Sequence, residues 1–140
     1  MDSAALRDLL LSTRRIALVG ASASPLRPSY GVMGFLLGRG YDVVPVNPGI
    51  AGCLLQGRRV VASLDEAAPL DLVDLFRHAD HVLAPVRDAI RLGARAVWMQ
   101  IGVVNRAAAE EAKAAGLAVV MDRCPKIEWH RLGLPARVAA

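Results

Sequence analysis

Three serines and two arginines carry most of the chemistry that can be read from this sequence. Ser22, Ser24 and Ser29 fall in or just after a loop between an apolar run and a helical pattern, with Arg27 among them. Arg77 directly follows another apolar run. Hydroxyl and N–H donors at a helix start, beside a guanidinium, suit an anion. The helix terminus offers unpaired N–H groups and a partial positive charge, so a phosphate is stabilised there without any catalytic side chain. Loop serines also satisfy their own backbone, and most arginines are solvated. The strand–loop–helix setting favours the pyrophosphate reading for the serines. Arg77 stands equally as a solvated charge or as a phosphate contact.

Other reactive residue types lack the spacing their chemistry needs. His78, His81 and His130 share no ligand spacing with Cys124, and no H-x-x-E-H pattern occurs, so no metal site is expected. Gly20-Ala21-Ser22-Ala23-Ser24 lacks the second glycine of a nucleophile elbow, and no Asp/His pair is placed to serve Ser22. No catalytic residue is assigned. Cys53 and Cys124 are far apart and read as free thiols. Cys124 closes the last strand beside Arg123, as a small buried thiol or as one whose pKa the guanidinium lowers. Trp98 and Trp129 read as packing residues.

These residues need elements to position them. A lead-in helix is predicted over 2–12, with Ser3 as its cap. Strands follow at Arg15–Val19, Asp42–Val46 with the exit turn Asn47-Pro48, Asp71–Phe76, Ala96–Ile101 and Leu117–Met121. Between them lie helices at Tyr30–Arg39, from a Ser63 cap through Ala67 or Ala68, Ala84-Pro85 to Leu92, and Arg106–Ala115 under an Asn105 cap. Gly31 and Gly34 lie inside the first crossover helix, where they allow close backbone packing. Gly49–Gly57 reads as irregular, Arg59-Val60-Val61 as an edge segment, and a last helical turn follows Pro125. No strand pair reads as joined by a two-residue hairpin turn. Alternation of this kind predicts an α/β, Rossmann-like, doubly wound and mainly parallel five-stranded sheet with helices on both faces. Ligands of such sheets bind at the carboxyl ends of the strands, where strand order reverses.

Bulk properties bound the rest. At 140 residues, with 54% hydrophobic content and mean hydropathy +0.37, the chain is expected to form one ordered domain over 1–140, its core at 15–130 and a short tail at 131–140. Arg, Asp or Gly interrupts every apolar stretch before membrane-span length, and Met1-Asp2-Ser3 does not open a secretory signal. A cytoplasmic location is expected. The formal charge of +4 and pI near 9.7 suit an anionic partner. With 4% aromatics and no basic run, that partner is a phosphate-bearing small molecule and not nucleic acid. The Ala- and Leu-rich helix faces suit a monomer or a homodimer.

The first turn departs from a dinucleotide fingerprint. Ser22 stands where the second glycine of G-x-G-x-x-G would be, and the second strand ends in Asn47 where an acidic residue would hold the ribose of NAD. The strings Val19-Gly20-Ala21-Ser22, Ser29-Tyr30-Gly31-Val32, Pro45-Val46-Asn47-Pro48, Asp71 to Arg77, Trp98-Met99-Gln100-Ile101-Gly102-Val103 and Met121-Asp122-Arg123-Cys124 resemble the small single-domain CoA-binding proteins. The resemblance runs from about Ile16 to Trp129. That family is related to the CoA-binding domain of the succinyl-CoA synthetase α subunit. It implies coenzyme A, or a short acyl-CoA, held across the strand exits. Gly20, Ala21, Ser22, Ser24, Ser29 and Tyr30 would take the phosphates, and Arg27 the ADP part. Val46, Asn47, Pro48, Phe76 and Arg77 would line the cleft, and Gln100, Ile101 and Gly102 would guide the pantetheine arm. The larger synthetases use further domains that these 140 residues do not include. The expected role is that of a non-catalytic carrier, sensor or partner of another enzyme. The alternatives are an NAD(P)-binding oxidoreductase and CoA-linked thiol redox regulation through Cys124.

Overall fold

The computed structural model describes residues 1–136. Five short strands form one parallel sheet: β1 (Arg15–Val19), β2 (Asp42–Val46), β5 (Leu72–Leu75), β6 (Ala96–Met99) and β7 (Ala118–Val120), in the order β2-β1-β5-β6-β7. Each strand is almost continuously apolar because both of its faces are covered. Alternate side chains sort to opposite faces. Ala17, Val19, Val73, Leu75, Val97 and Met99 pack with helices α3 (Leu64–Ala67), α4 (Leu83–Arg91) and α5 (Arg106–Ala114). Ile16, Leu18, Leu72, Trp98 and Val120 pack with α1 (Ser3–Ser12), α2 (Pro28–Gly38) and α6 (Pro125–Arg131). The chain leaves β1 toward β2 on one side and returns to β5 on the other, so β1 marks the reversal of strand order. The expected doubly wound α/β architecture is present.

Several local readings are corrected. Gly49–Gly57 is not irregular: a 3-10 turn spans Pro48–Ile50, and Leu54–Leu55 (β3) pairs antiparallel with Arg58–Arg59 (β4). Gln56 and Gly57, at φ 50° and 82°, make the two-residue hairpin turn that was not expected. The predicted edge strand reduces to Arg59 in this hairpin and one parallel bridge from Val61 to Val46. Asp2, not Ser3, caps α1, accepting from the Ala5 amide at 2.8 Å. Ser63 precedes α3 without a capping bond, and the Glu66 carboxylate instead accepts from the Ala62 amide. Helix α4 starts at Leu83, α2 starts at Pro28, and Gln100 and Ile101 lie beyond β6 in its exit loop. A Cβ at Gly34 would meet Gln56 Oε1 at 2.8 Å, so the hairpin rests on α2 there, whereas Gly31 has nothing within 4 Å. Of the predicted tail, 131 ends α6, and 137–140 lie outside the described residues.

Candidate functional site: the strand-exit edge

Gly20 fixes the edge at the reversal point. Its φ is +89°, and a Cβ there would lie 2.2 Å from the Phe76 carbonyl oxygen, so only glycine brings the exits of β1 and β5 this close. The amides of Gly20 and Ala21 both donate to the Val46 carbonyl, at 3.0 and 3.4 Å. Asn47 ties the exit of β2 to the same loop. Its Nδ2 donates to the Ala21 carbonyl at 2.8 Å, and its Oδ1 accepts from the Gly49 amide at 2.8 Å.

From this ridge a cleft of about 670 Å³ opens on the α2–α6 side. Gly20, Ala21, Ser22, Arg27, Ser29 and Asn47 line one wall, while Phe76, Gln100, Ile101 and Cys124 complete the predicted set. Ile101 and Ile127 rim the mouth and are more than half exposed. The N-terminus of α2 points into this space. Its cap residue, Arg27, makes no side-chain capping bond, Pro28 occupies the first turn, and Ser29 is buried. Among the described residues the Arg27 guanidinium has no hydrogen-bond or ion-pair partner. Pro28 has no N–H and the Tyr30 amide donates to the Arg27 carbonyl at 3.1 Å, so it is the remaining amides of the first turn, beside a free guanidinium, that are suited to a phosphate.

The serines divide between the two readings. Ser22 Oγ accepts from the Ser24 amide at 3.1 Å and Ser24 Oγ from the Leu26 amide at 3.4 Å, each bracing its own loop. Ser22 still faces the cleft; Ser24 does not. Tyr30 and Gly102 also lie outside it. The Tyr30 carbonyl accepts from Gln56, and the Gly102 amide donates to Asp122.

The remaining predicted residues sit on the other side of the ridge. A second cleft of about 420 Å³ is lined by Val46, Pro48 and Arg77 together with Ser63, Pro85 and Asp88, and it shares Gly20 and Asn47 with the first. Phe76 and Arg77 are consecutive at the exit of β5, yet they line opposite clefts because successive side chains alternate. Like Arg27, Arg77 is exposed and has no guanidinium partner among the described residues.

Asp74, a residue that motif and spacing do not single out, lies buried beneath the edge. It is fully buried in β5, between Leu18 of β1 and Trp98 of β6. Its Oδ1 accepts from Gln100 Nε2 at 2.6 Å, and its Oδ2 has no partner. Burial pushes its pKa up to about 7, with the Gln100 hydrogen bond opposing the rise. The signal was a lone carboxylate in the apolar string Leu72-Val73-Asp74-Leu75. Cys124 does border the first cleft, but its neighbour Arg123 pairs with Glu128 instead of attending the thiol. Glu128 is held below the usual carboxylate range, because its ion pairs with Arg131 and Arg123 outweigh the opposing effect of burial. The rings of His78 and His81 lie tilted at 59° with centroids 6.0 Å apart, and His130 packs against Phe35. Among the described residues no three His, Cys, Asp or Glu side chains gather as metal ligands, and no helix is long and apolar enough to cross a membrane.

Known proteins share this fold. The chain is 35% identical over 127 residues to the uncharacterized protein YneT of Bacillus subtilis, covering 90% of this chain and 93% of that one. A hypothetical protein from Pyrococcus horikoshii superposes with TM-score 0.89 at 40% identity, over 94% of this chain and 92% of that one. A Thermus thermophilus structure gives TM-score 0.89 at 37% identity, over 94% and 99%. The CoA-binding domain family matches residues 14–130, which include both clefts and every strand of the sheet. By that match, the chain belongs to the CoA-binding domain family.

Proposed function

We propose that the chain binds coenzyme A, or a short acyl-CoA, along the strand-exit edge. The observation that carries this reading is the uncapped start of α2 beside the free Arg27, opening into a cleft with apolar walls at Val32, Phe76 and Ile101. An anionic head on a long, mostly apolar arm matches that sequence of surfaces. The phosphates lie against Gly20–Ser22, Ser29 and Arg27, and the pantetheine arm runs past Gln100 and Ile101 toward Cys124. Arg77, Val46 and Pro48 supply a second anionic contact across the ridge. Ser24, Tyr30 and Gly102 support loops and touch no ligand. NAD(P) is disfavoured because both polar ends of Asn47 are committed to backbone, leaving no carboxylate at the exit of β2 for a ribose diol. The protein acts in the cytoplasm as a non-catalytic carrier, sensor or partner of a CoA-using enzyme, with 1–140 as one domain.

Calorimetric titration with CoA, acetyl-CoA, NAD and NADP tests this, after removal of co-purified ligand. Micromolar CoA binding with weak or absent NAD(P) binding is expected. NAD(P) binding with CoA silent overturns the reading.

The position of Cys124 in the same cleft favours a second reading, in thiol exchange. Its thiolate would attack the disulfide form of CoA, forming a protein–CoA mixed disulfide and releasing one CoA thiolate. Incubation with CoA disulfide should add one CoA to the protein mass, reversibly with reductant. Persistence of that adduct in Cys124→Ser would end this reading.

A further inference from the structure

Gln100 is held in a way that its place in the cleft does not require. Its side chain lines the cleft yet is 6% exposed, and its amide nitrogen is turned down onto the sealed Asp74 carboxyl at 2.6 Å. No protein group among the described residues donates to Gln100 Oε1, and that oxygen is not among the buried atoms left without a partner. An amide whose nitrogen is fixed inward has its oxygen fixed as the remaining polar end. Asp74 Oδ1 makes no other bond, and Oδ2 is sealed away from solvent. Burying a carboxyl in the middle strand of a sheet is costly unless hydrogen bonds or an ion pair offset it. Here its one polar contact is to a cleft residue on the adjacent strand's exit.

We propose that Asp74 is a positioning residue that locks the Gln100 amide, so that the cleft offers a fixed carbonyl acceptor to an N–H group in the arm of the bound ligand. The proposal rests on the reading of the cleft as a CoA site. It assigns the ligand class at this point of the cleft as an amide-bearing arm, which CoA has and its nucleotide portion alone lacks. Asp74 does not touch the ligand; it acts through Gln100. Without the lock, the Gln100 amide turns freely and presents a donor as readily as an acceptor.

The test compares CoA with adenosine 3′,5′-bisphosphate, which keeps phosphates but has no arm, by calorimetry on the full chain. Gln100→Met and Asp74→Ala should each weaken CoA about tenfold while leaving the bisphosphate within about twofold. Asp74→Asn still presents a carbonyl oxygen to Gln100 Nε2, and it should restore CoA binding to within about threefold of wild type. The double variant Asp74→Ala/Gln100→Met should be no weaker than Gln100→Met alone. Equal losses for both ligands, or CoA binding unchanged in Asp74→Ala and Gln100→Met, overturn the proposal. If Asp74→Ala does not fold, Gln100→Met and Asp74→Asn still decide it: the first must lose CoA selectively and the second must retain it. Wild-type protein that binds no CoA refutes the site itself; CoA binding that is insensitive to these variants refutes only the positioning role.

Discussion

The two clefts that meet at Gly20 and Asn47 are built from different kinds of polar group. On the α2–α6 side the free Arg27 guanidinium stands among fixed groups: backbone amides at a helix start, a buried serine and the Asp74–Gln100 pair. On the other side the free, exposed Arg77 stands without such a framework, and Asp88 is engaged by Arg91. Fixed donors have already met their ordering cost during folding, whereas a surface arginine meets it on binding. On the proposed CoA reading, the first cleft sets specificity and the second contributes charge.

The strongest way to break this division is to remove what the clefts share. Gly20→Ala forces a Cβ into the Phe76 carbonyl at φ +89° and should cost more than ~4 kcal/mol in urea unfolding, or prevent folding. Next comes Asp74, whose one hydrogen bond reaches Gln100 of the first cleft. Its pKa rises from 3.8 in the unfolded chain to about 7 when folded, so the native state keeps a proton that the unfolded state has lost. Stability from this group is full below pH 4, falls as pH rises from about 4 to about 7, and is flat above, by up to ~4 kcal/mol. Urea unfolding across that range should show the decline, and Asp74→Asn should flatten it.

Smaller effects sharpen the contrast. Asn47→Ala removes the bond to the Ala21 carbonyl and should cost about 1–2 kcal/mol by thermal unfolding, with weaker CoA binding because the ridge loosens. Arg27→Ala and Arg77→Ala should leave stability within ~0.5 kcal/mol, since neither guanidinium has a partner to lose among the described residues. Both should weaken CoA binding severalfold, and raising salt should shrink the loss more for Arg77 than for Arg27, because only Arg27 sits beside the helix N-terminus.

What could be read from the sequence follows the same line. The strands were legible because two covered faces demand unbroken apolar runs, and Gly20 was legible because it interrupts the first of them. The hairpin at Gln56-Gly57 was not, since Gln-Gly keeps only the glycine of the usual Asn-Gly or Asp-Gly turn signal and Gln56 enters positive φ while its side chain ties to α2. The candidate site was legible as a set of strand exits but not as two clefts. Phe76 and Arg77 are neighbours in sequence, and only the strand's alternation sends them to opposite sides. Asp74 stands out in the sequence as a lone carboxylate in an apolar string, but its pairing with Gln100 does not, because that partner lies 26 positions away and is brought near only by sheet register.

Backbone amide chemical shifts followed during titration with CoA would decide where the ligand sits. Saturable changes are predicted at Gly20–Ser22, Ser29–Gly31, Asn47, Gln100–Val103 and Cys124–Ile127, with smaller ones near Arg77. Changes confined to α4 and α5, or none at millimolar CoA, would contradict the assignment of the strand-exit edge as a CoA site.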